Sequence, residues 1–225
     1  ADITAICGGL NINIGTLNRQ SIRAMFCAAE KAGALRHPIL LDPVGAGASA
    51  LRTETALLLL EKAKPTVARG NISEIKTLAA GHGSTNGVDA YVADAVTEDN
   101  LDTSVQFAKH LAQKTGAVIA ITGAIDLVAD KDRCAVIRNG RPEMSKITGT
   151  GCQLSGMMTA FAAANPDKIF EACTAAVCAM GLAGELAHSR MQPGDGNSTY
   201  RNRIIDAIYH MSGEILDGGA RYAIK

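Results

Sequence analysis

The segment ITGTGCQLSG at residues 147–156 has the residue types of a phosphate-binding helix start. Gly149 and Gly151 carry no Cβ atom, so the backbone at these positions can approach a ligand closely. The small apolar residues that follow predict a buried helix, whose first N–H groups and positive dipole end suit an anion. Cys152 lies in that first turn, where a reacting hydroxyl group could also lie. The alternative is a glycine-rich turn with an inert buried cysteine, because short glycine motifs often occur without such a function.

A carboxylate follows the apolar run at residues 38–41. Asp42 is succeeded by a proline and two nearby glycines. Its oxygens could hold Mg²⁺ against a phosphate, directly or through water, since hard cations prefer oxygen ligands. The same residue could instead close the strand through an Asx turn. The sequence leaves both interpretations open.

A second polar group follows the apolar run at residues 66–68. Arg69, Asn71 and Glu74 together offer a guanidinium, a carboxamide and a carboxylate, which suit a Mg²⁺–phosphate cluster. Asn71 followed three residues later by Glu74 is also the pattern of a helix capping box. Thr122 and Gly123 follow a further apolar run and could present a hydroxyl and a bare backbone to a nucleotide, or could form an ordinary turn at a strand end.

These residues fall at the ends of predicted strands. Short apolar runs alternate with helical patterns, and the runs are apolar on both faces, which predicts a mostly parallel sheet with helices on both sides. Ligands in such α/β folds bind at the carboxyl ends of the strands. We predict strands at residues 10–14, 38–41, 66–68 and 117–121, a hairpin at the sheet edge from 127–129 and 134–138, and helices at 19–33, 51–63, 73–80, 103–115, 152–164, 167–190 and 200–216.

Composition excludes several classes of protein. Hydrophobic residues make up 47% and charged residues 20% of the 225 residues, and the formal net charge is zero, which argues against disorder and against a nucleic-acid partner. We find no apolar run that predicts a membrane span. The six cysteines form no CxxC pair, and several lie in apolar helical patterns, as free buried cysteines do. Since we also see no signal-peptide pattern, we expect a reducing, cytoplasmic setting. No Cys/His spacing fits a zinc site.

The length fits one domain, which we predict over residues 1–225. We see neither an internal repeat nor a linker. The first residues begin without methionine and have the pattern of a helix interior. We therefore expect that an N-terminal segment is missing from this sequence.

The motifs together resemble one family, hydroxyethylthiazole kinase of the ribokinase-like superfamily. The resemblance runs from about residue 5 to residue 209 and is stronger than any single motif. A last loop, GDGNS at residues 194–198, departs from the sequence pattern of the family. The matching stretches are NIGTL at 13–17, LDPVGAGA at 41–48, RGNISEI at 69–75, ITG at 121–123 and ITGTGC at 147–152.

This resemblance implies ATP-dependent phosphorylation of the hydroxyl of 4-methyl-5-(2-hydroxyethyl)thiazole, a thiamine salvage step. Asp42 and Glu74 are then the Mg²⁺-linked carboxylates, and Arg69 and Thr122 are ATP ligands. The resemblance places Gly149 and Cys152 at the substrate hydroxyl, with Cys152 as the catalytic side chain. It also implies a homotrimer with sites between subunits, and part of the thiazole pocket is expected to come from residues before Ala1.

Three alternatives remain at this stage. A hydroxymethylpyrimidine kinase or a nicotinamide-hydrate dehydratase would share the fold, but the resemblance implies Asp at position 152 in both. A transferase that uses Cys152 as nucleophile would need a base, and no histidine falls in a matching loop. A binding module without activity is disfavoured by the intact Asp42, Arg69 and Glu74.

Overall fold

A mixed β-sheet forms the centre of the computed structural model, which describes residues 2–81 and 95–225. Within these ranges seven strands pair in sequence order. The first four pair in parallel, and each of the last three pairs antiparallel to the strand before it. The strands are β1 (Leu10–Asn13), β2 (Ile39–Asp42), β3 (Val67–Asn71), β4 (Val118–Thr122), β5 (Asp126–Ala129), β6 (Cys134–Ile137) and β7 (Tyr222–Ile224).

Helices connect most of the strands. The parallel pairs are joined by helical crossovers, as parallel strands require. Short 3₁₀ turns lie at Glu98–Asn100 and Pro142–Lys146. The helices are α1 (Asp2–Ile6), α2 (Arg19–Ala34), α3 (Ala50–Ala63), α4 (Ile72–Gly81), α5 (Leu101–Thr115), α6 (Thr150–Ala164), α7 (Ile169–Ser189), α8 (Asn197–Tyr209) and α9 (Gly213–Gly219).

The two faces of the sheet bury two separate cores. Successive strand residues point to opposite faces, so Leu41 and Ile119 join the core under α2–α5, whereas Leu40 and Ala120 join the core under α6–α8. Both faces are therefore apolar along the same strand, which explains the continuous apolar runs in the sequence. The predicted α/β architecture, with a mostly parallel sheet between two helical layers, is confirmed.

Two details of the strands and helices differ from the sequence prediction. The hairpin of β5 and β6 is present but does not form the sheet edge, because β7 pairs with β6. The single helix predicted at 200–216 is two helices, and Ser212 caps the second by accepting a hydrogen bond from the N–H of Ile215 at 3.2 Å. The capping hydroxyl favours a new helix start there over continuation of α8.

Helix α7 is long and apolar enough to cross a bilayer by length and composition, contrary to the expectation from the sequence. Of its most apolar 18-residue window, 72% is buried inside the fold. Its residues Cys173, Ala176, Val177 and Met180 belong to the core beneath the sheet. This burial is typical of a core helix, and apolar composition alone is weak evidence for a membrane span.

Candidate functional site

The carboxyl ends of the parallel strands bring the predicted polar residues to one edge of the sheet. Asn13 ends β1 and is the register partner of Asp42, which ends β2. Asn71 ends β3 and is the register partner of Thr122, which ends β4. Since parallel strands end on the same side, residues far apart in the sequence become neighbours.

Asp42 is the buried centre of this edge, and its side chain is fully enclosed. Its Oδ2 atom accepts hydrogen bonds from Asn13 Nδ2 at 2.9 Å and from Ser155 Oγ at 2.8 Å. The guanidinium of Arg69 lies 3.8 Å from the same oxygen. Three groups on three different elements thus fix the orientation of one carboxylate.

The other carboxylate oxygen of Asp42 is unsatisfied. Oδ1 is buried and has no hydrogen-bond partner among the described residues. Burial raises the pKa of Asp42, while Arg69 and the Ser155 hydroxyl oppose this rise and the charge of Glu74 adds to it. Because buried polar atoms in proteins normally have partners, the orphaned oxygen marks a place for a cation or a donor group.

Arg69 joins Asp42 to Thr122 and to the start of α6. Its Nη2 donates to Thr122 Oγ1 at 2.8 Å, and the side chain is only 11% exposed. A Cβ atom on Gly151 would lie 2.8 Å from Nη1 and 2.9 Å from Nη2 of Arg69. Only glycine at position 151 therefore leaves room for the guanidinium in its observed place.

Glu74 forms the capping box that its spacing predicts. Its Oε2 accepts from the N–H of Asn71 at 2.9 Å, and its own N–H donates to Asn71 Oδ1 at 2.9 Å. Its Oε1 also accepts from the N–H of Gly45 at 2.9 Å, in the loop that follows Asp42. The carboxylate thus caps α4 and ties this helix to the Asp42 loop, and further lone pairs remain on both oxygens.

We expect Glu74→Ala to lower the free energy of unfolding by about 1–3 kcal/mol, because it leaves two backbone N–H groups without their acceptor. Thermal unfolding followed by circular dichroism measures this loss. Glu61→Ala on the exposed surface of α3 is the matched control and should change the melting temperature little. A melting temperature for Glu74→Ala equal to that of the unsubstituted protein would contradict the capping role.

The start of α6 lies beside this network. Gly149 occupies the N-cap position with φ of +96°, a left-handed conformation that favours glycine, and α6 begins at Thr150. The first N–H groups of a helix have no acceptor within the helix. Cys152 is exposed in this first turn, and its Sγ accepts a hydrogen bond from Asn13 Nδ2 at 3.2 Å.

A cleft of about 570 Å³ opens next to Arg69, Thr122, Thr150 and Gly151. This volume lies within the range of roughly 300–1,000 Å³ that is usual for small-molecule sites. Its lining includes the apolar side chains Met144, Leu154, Val177 and Met180 as well as the polar Arg69 and Thr122. The cleft therefore offers both apolar contacts and a cationic group to a ligand.

The wall of this cleft is held by residues from distant parts of the chain. Gly181 lets α7 approach the loop after β6, since a Cβ atom there would lie 2.7 Å from the backbone carbon of Asn139. Glu185 accepts from the N–H of Gly140 at 2.6 Å and from Arg221 Nη2 at 2.7 Å. The N–H of Arg221 in turn donates to Asn139 Oδ1 at 2.7 Å.

Three polar residues of the site were not among the predicted site residues. Asn13 was noted only within the matching stretch NIGTL, and Ser155 lies one helical turn after Cys152, a spacing that could have indicated it. Asp126 lines the cleft and accepts from the N–H of Gly123 at 2.8 Å. Burial raises the pKa of Asp126 to about 7, against the opposing effects of that N–H and of Arg69. No sequence pattern singled out Asp126.

Within residues 2–81 and 95–225, no group of three or more His, Cys, Asp or Glu side chains is arranged to hold a metal ion. The carboxylate of Glu74 nevertheless contacts the loop that follows Asp42, since its Oε1 accepts a hydrogen bond from the N–H of Gly45 at 2.9 Å. Mg²⁺ commonly binds through one or two carboxylates together with substrate phosphates and water. The donor set and the orphaned Oδ1 of Asp42 fit such a shared site.

Comparison with known proteins gives concordant matches. The chain matches the hydroxyethylthiazole kinase family over residues 1–214. It is 59% identical over 221 residues to a hydroxyethylthiazole kinase of Clostridium acetobutylicum, covering 98% of this chain and 81% of that one. A hydroxyethylthiazole kinase of Ruminiclostridium cellulolyticum is 43% identical, covering 98% of this chain and 79% of that one.

Solved structures agree with the family match and with the fold. The structure of the hydroxyethylthiazole kinase protein from Pyrococcus horikoshii OT3 superposes with a TM-score of 0.86 at 28% identity, covering 100% of this chain and 80% of that one. Pyridoxal kinase from Staphylococcus aureus, in complex with AMP-PCP and pyridoxal, shares the fold with a TM-score of 0.56 at 16% identity, covering 96% of this chain and 71% of that one. The chain belongs to the hydroxyethylthiazole kinase family.

Proposed function

We propose that this protein transfers the γ-phosphoryl group of ATP to the hydroxyl of 4-methyl-5-(2-hydroxyethyl)thiazole, in thiamine salvage. Family membership supports the reaction and the acceptor. The observation that carries the proposal is the continuous series of contacts from Thr122 through Arg69, Asp42 and Asn13 to Cys152. This series leads from a cleft of nucleotide size to an exposed helix start.

The nucleotide occupies the cleft in this proposal. The apolar side chains of α6 and α7 that line the cleft contact the base, and Arg69 and Thr122 bind the phosphates. Arg69 suits this role because its planar guanidinium pairs with phosphate oxygens through two parallel hydrogen bonds. Contact with Thr122 and Gly151 holds it in place before the nucleotide arrives.

Asp42 and Glu74 would hold Mg²⁺, Asp42 through its free Oδ1 and Glu74 through lone pairs that its capping bonds leave unused. The ion would neutralise charge on the phosphates during transfer. Residues of the protein itself contact the phosphoryl group and the acceptor hydroxyl. Gly149 to Cys152 offer backbone N–H groups to the transferring phosphoryl group, and Cys152 lies where the acceptor hydroxyl would lie.

Cys152 in this mechanism assists and is not indispensable. A base has little to do until late in a loose phosphoryl transfer, so positioning and backbone N–H groups supply most of the rate. We expect Cys152→Ala to retain measurable turnover, with kcat lowered by no more than about 100-fold. Cys152→Asp should be active. Complete loss of turnover in Cys152→Ala with ATP binding intact, or a covalent adduct on this thiol in mass spectra, would contradict this role.

ADP release tests the function directly. We expect rapid, Mg²⁺-dependent ADP release with the thiazole alcohol and release near background with a hydroxymethylpyrimidine. Excess EDTA should abolish turnover, and added Mg²⁺ should restore it. The reverse preference between the two alcohols would favour the alternative, a hydroxymethylpyrimidine kinase on the same fold.

The remaining parts of the proposal concern the state of the protein in the cell. We propose a single-domain, cytoplasmic homotrimer with sites between subunits, by resemblance to the family. Two apolar side chains of α1, Ile3 and Ile6, are 71% and 83% exposed and would gain from such burial. Sedimentation velocity at micromolar protein should give the mass of a trimer, and a monomer would contradict this part.

A further inference from the structure

We propose that Asn13 is a positioning residue, which sets Cys152 and Asp42 in fixed relation to each other for the phosphoryl transfer. The inference rests on the roles proposed above for those two groups. A single nitrogen atom, Asn13 Nδ2, donates to Asp42 Oδ2 at 2.9 Å and to Cys152 Sγ at 3.2 Å. The two acceptors lie on β2 and α6, and Asp42 and Cys152 are 110 positions apart in the sequence.

The orientation of the Asn13 amide is fixed from its other end. Asn13 Oδ1 accepts a hydrogen bond from the N–H of Gly15 at 2.8 Å. A Cβ atom on residue 15 would lie 2.9 Å from that oxygen, so glycine allows the tight turn over the amide. With the oxygen committed to Gly15, the NH₂ group must face Asp42 and Cys152. Its two hydrogens match the two acceptors.

This arrangement gives position 152 a definite role. An amide NH₂ group can only donate, so Cys152 Sγ acts as an acceptor towards β1, and the sulfur cannot direct its own hydrogen there. A carboxylate at position 152 would be an acceptor as well. The NH₂ group of Asn13 can therefore donate to either cysteine or aspartate at position 152, in agreement with the activity expected for Cys152→Asp.

Ser155 provides a contrast within the same site. Its hydroxyl donates to the same oxygen of Asp42 at 2.8 Å, and the side chain is buried one turn after Cys152. The carbonyl oxygen of Gly151, 3.2 Å from the same hydroxyl, is a second possible acceptor for its single hydrogen. Ser155 thus supports Asp42 alone, whereas Asn13 contacts both Asp42 and Cys152.

The first test is a double-mutant cycle on kcat at saturating ATP. Asn13→Ala should lower kcat by about 10–100-fold, as loss of a supporting partner typically does, and leave KM for ATP within about threefold. In the Cys152→Ala background the same substitution should cost at least about threefold less, because one of its two acceptors is gone. Ser155→Ala should have equal effects in both backgrounds.

The second test needs no turnover. Asn13→Asp keeps an oxygen for the N–H of Gly15 and nearly the same size, but replaces the NH₂ donor by an oxygen. We expect it to slow alkylation of Cys152 by iodoacetamide at pH 7.5 by at least about threefold, because the sulfur loses its donor and gains a repelling charge. Trypsin releases residues 147–168, which contain Cys152 and no other cysteine, so mass spectrometry reports this thiol alone.

Asn11→Ala is the matched control, since Asn11 lies on the same strand but is exposed. It should leave kcat and alkylation unchanged. Equal costs of Asn13→Ala in both backgrounds, or alkylation of Asn13→Asp at the unsubstituted rate, would overturn the proposal. If Asn13→Asp does not fold, the double-mutant cycle of Asn13→Ala and Cys152→Ala on kcat tests the proposal alone. Full turnover in Asp42→Asn or Cys152→Ala would overturn the site roles instead, and the alkylation result would remain interpretable.

Discussion

Replacing Asp42 by asparagine is expected to lower kcat by about 10³-fold, the largest loss we expect from any single substitution in this site. Asparagine can place its oxygen at the Oδ2 position, where it still accepts from Asn13 and Ser155. Its NH₂ group then replaces the free Oδ1 and cannot bind a cation. The geometry survives while the charge is lost. Steady-state ADP release at saturating ATP and thiazole alcohol measures the effect.

The same substitution should raise the melting temperature at neutral pH. Burial raises the pKa of Asp42, so the folded state holds this proton to higher pH than the unfolded state does. The contribution of Asp42 to the free energy of unfolding therefore falls as the pH rises above about 4, and asparagine removes this cost. The gain in melting temperature should be larger at pH 7 than at pH 4.

Asp132→Asn is the control for this prediction, because it removes one charge from a side chain that is 74% exposed. It should leave both turnover and melting temperature unchanged. Turnover of Asp42→Asn within tenfold of the unsubstituted enzyme, in folded protein, would show that the Asp42 charge has no part in the transfer.

Gly151→Ala is expected to lower kcat/KM for ATP by about 10–100-fold without unfolding the protein. The added methyl group would meet the tip of the Arg69 side chain, which can move away at little cost in stability. The guanidinium would then leave its place beside Thr122, and the phosphates would lose a prepositioned partner. Initial rates at varied ATP concentration measure the loss.

Gly156→Ala gives the matched control on the same helix. A Cβ atom at position 156 meets no atom within 4 Å among the described residues. Alanine there should stabilise α6 by up to about 1 kcal/mol and leave kcat/KM unchanged. In an Arg69→Ala background, Gly151→Ala should have little further effect. An undiminished cost in that background would mean that the methyl group acts directly on the nucleotide and not through Arg69.

The strand ends were predictable because the sequence pattern and the fold obey the same rule. Apolar runs on β2, β3 and β4 are followed directly by Asp42, Arg69 and Thr122, and parallel strands place such residues at the same edge of the sheet. The capping box at Glu74 was predictable because its contacts are local. Its third contact, with the N–H of Gly45, was not, since it joins residues 29 positions apart.

The missed elements lack a local signal. Strand β7 is three residues long and all three residues are exposed, so no alternation of buried and exposed residues indicates it. It exists through its pairing with β6, more than 80 residues earlier. The role of Asn13 was not predicted for the same reason, because the sulfur atom that it contacts belongs to a residue 139 positions away. The break between α8 and α9 did have a local signal, because Ser212 is a favoured N-cap residue. The prediction followed the apolar periodicity across residues 200–216 instead.

The wall of the cleft that we propose for the nucleotide has a consequence for synthesis of the chain on the ribosome. The loop at Asn139 is completed by Glu185, 46 residues later, and by Arg221, 82 residues later. At roughly 5–20 residues per second, the last of these partners follows the loop by about 4–16 s. ATP cannot bind a finished cleft during that interval. Until translation has passed Arg221, the nascent chain therefore gains no stability from a nucleotide bound in the completed cleft.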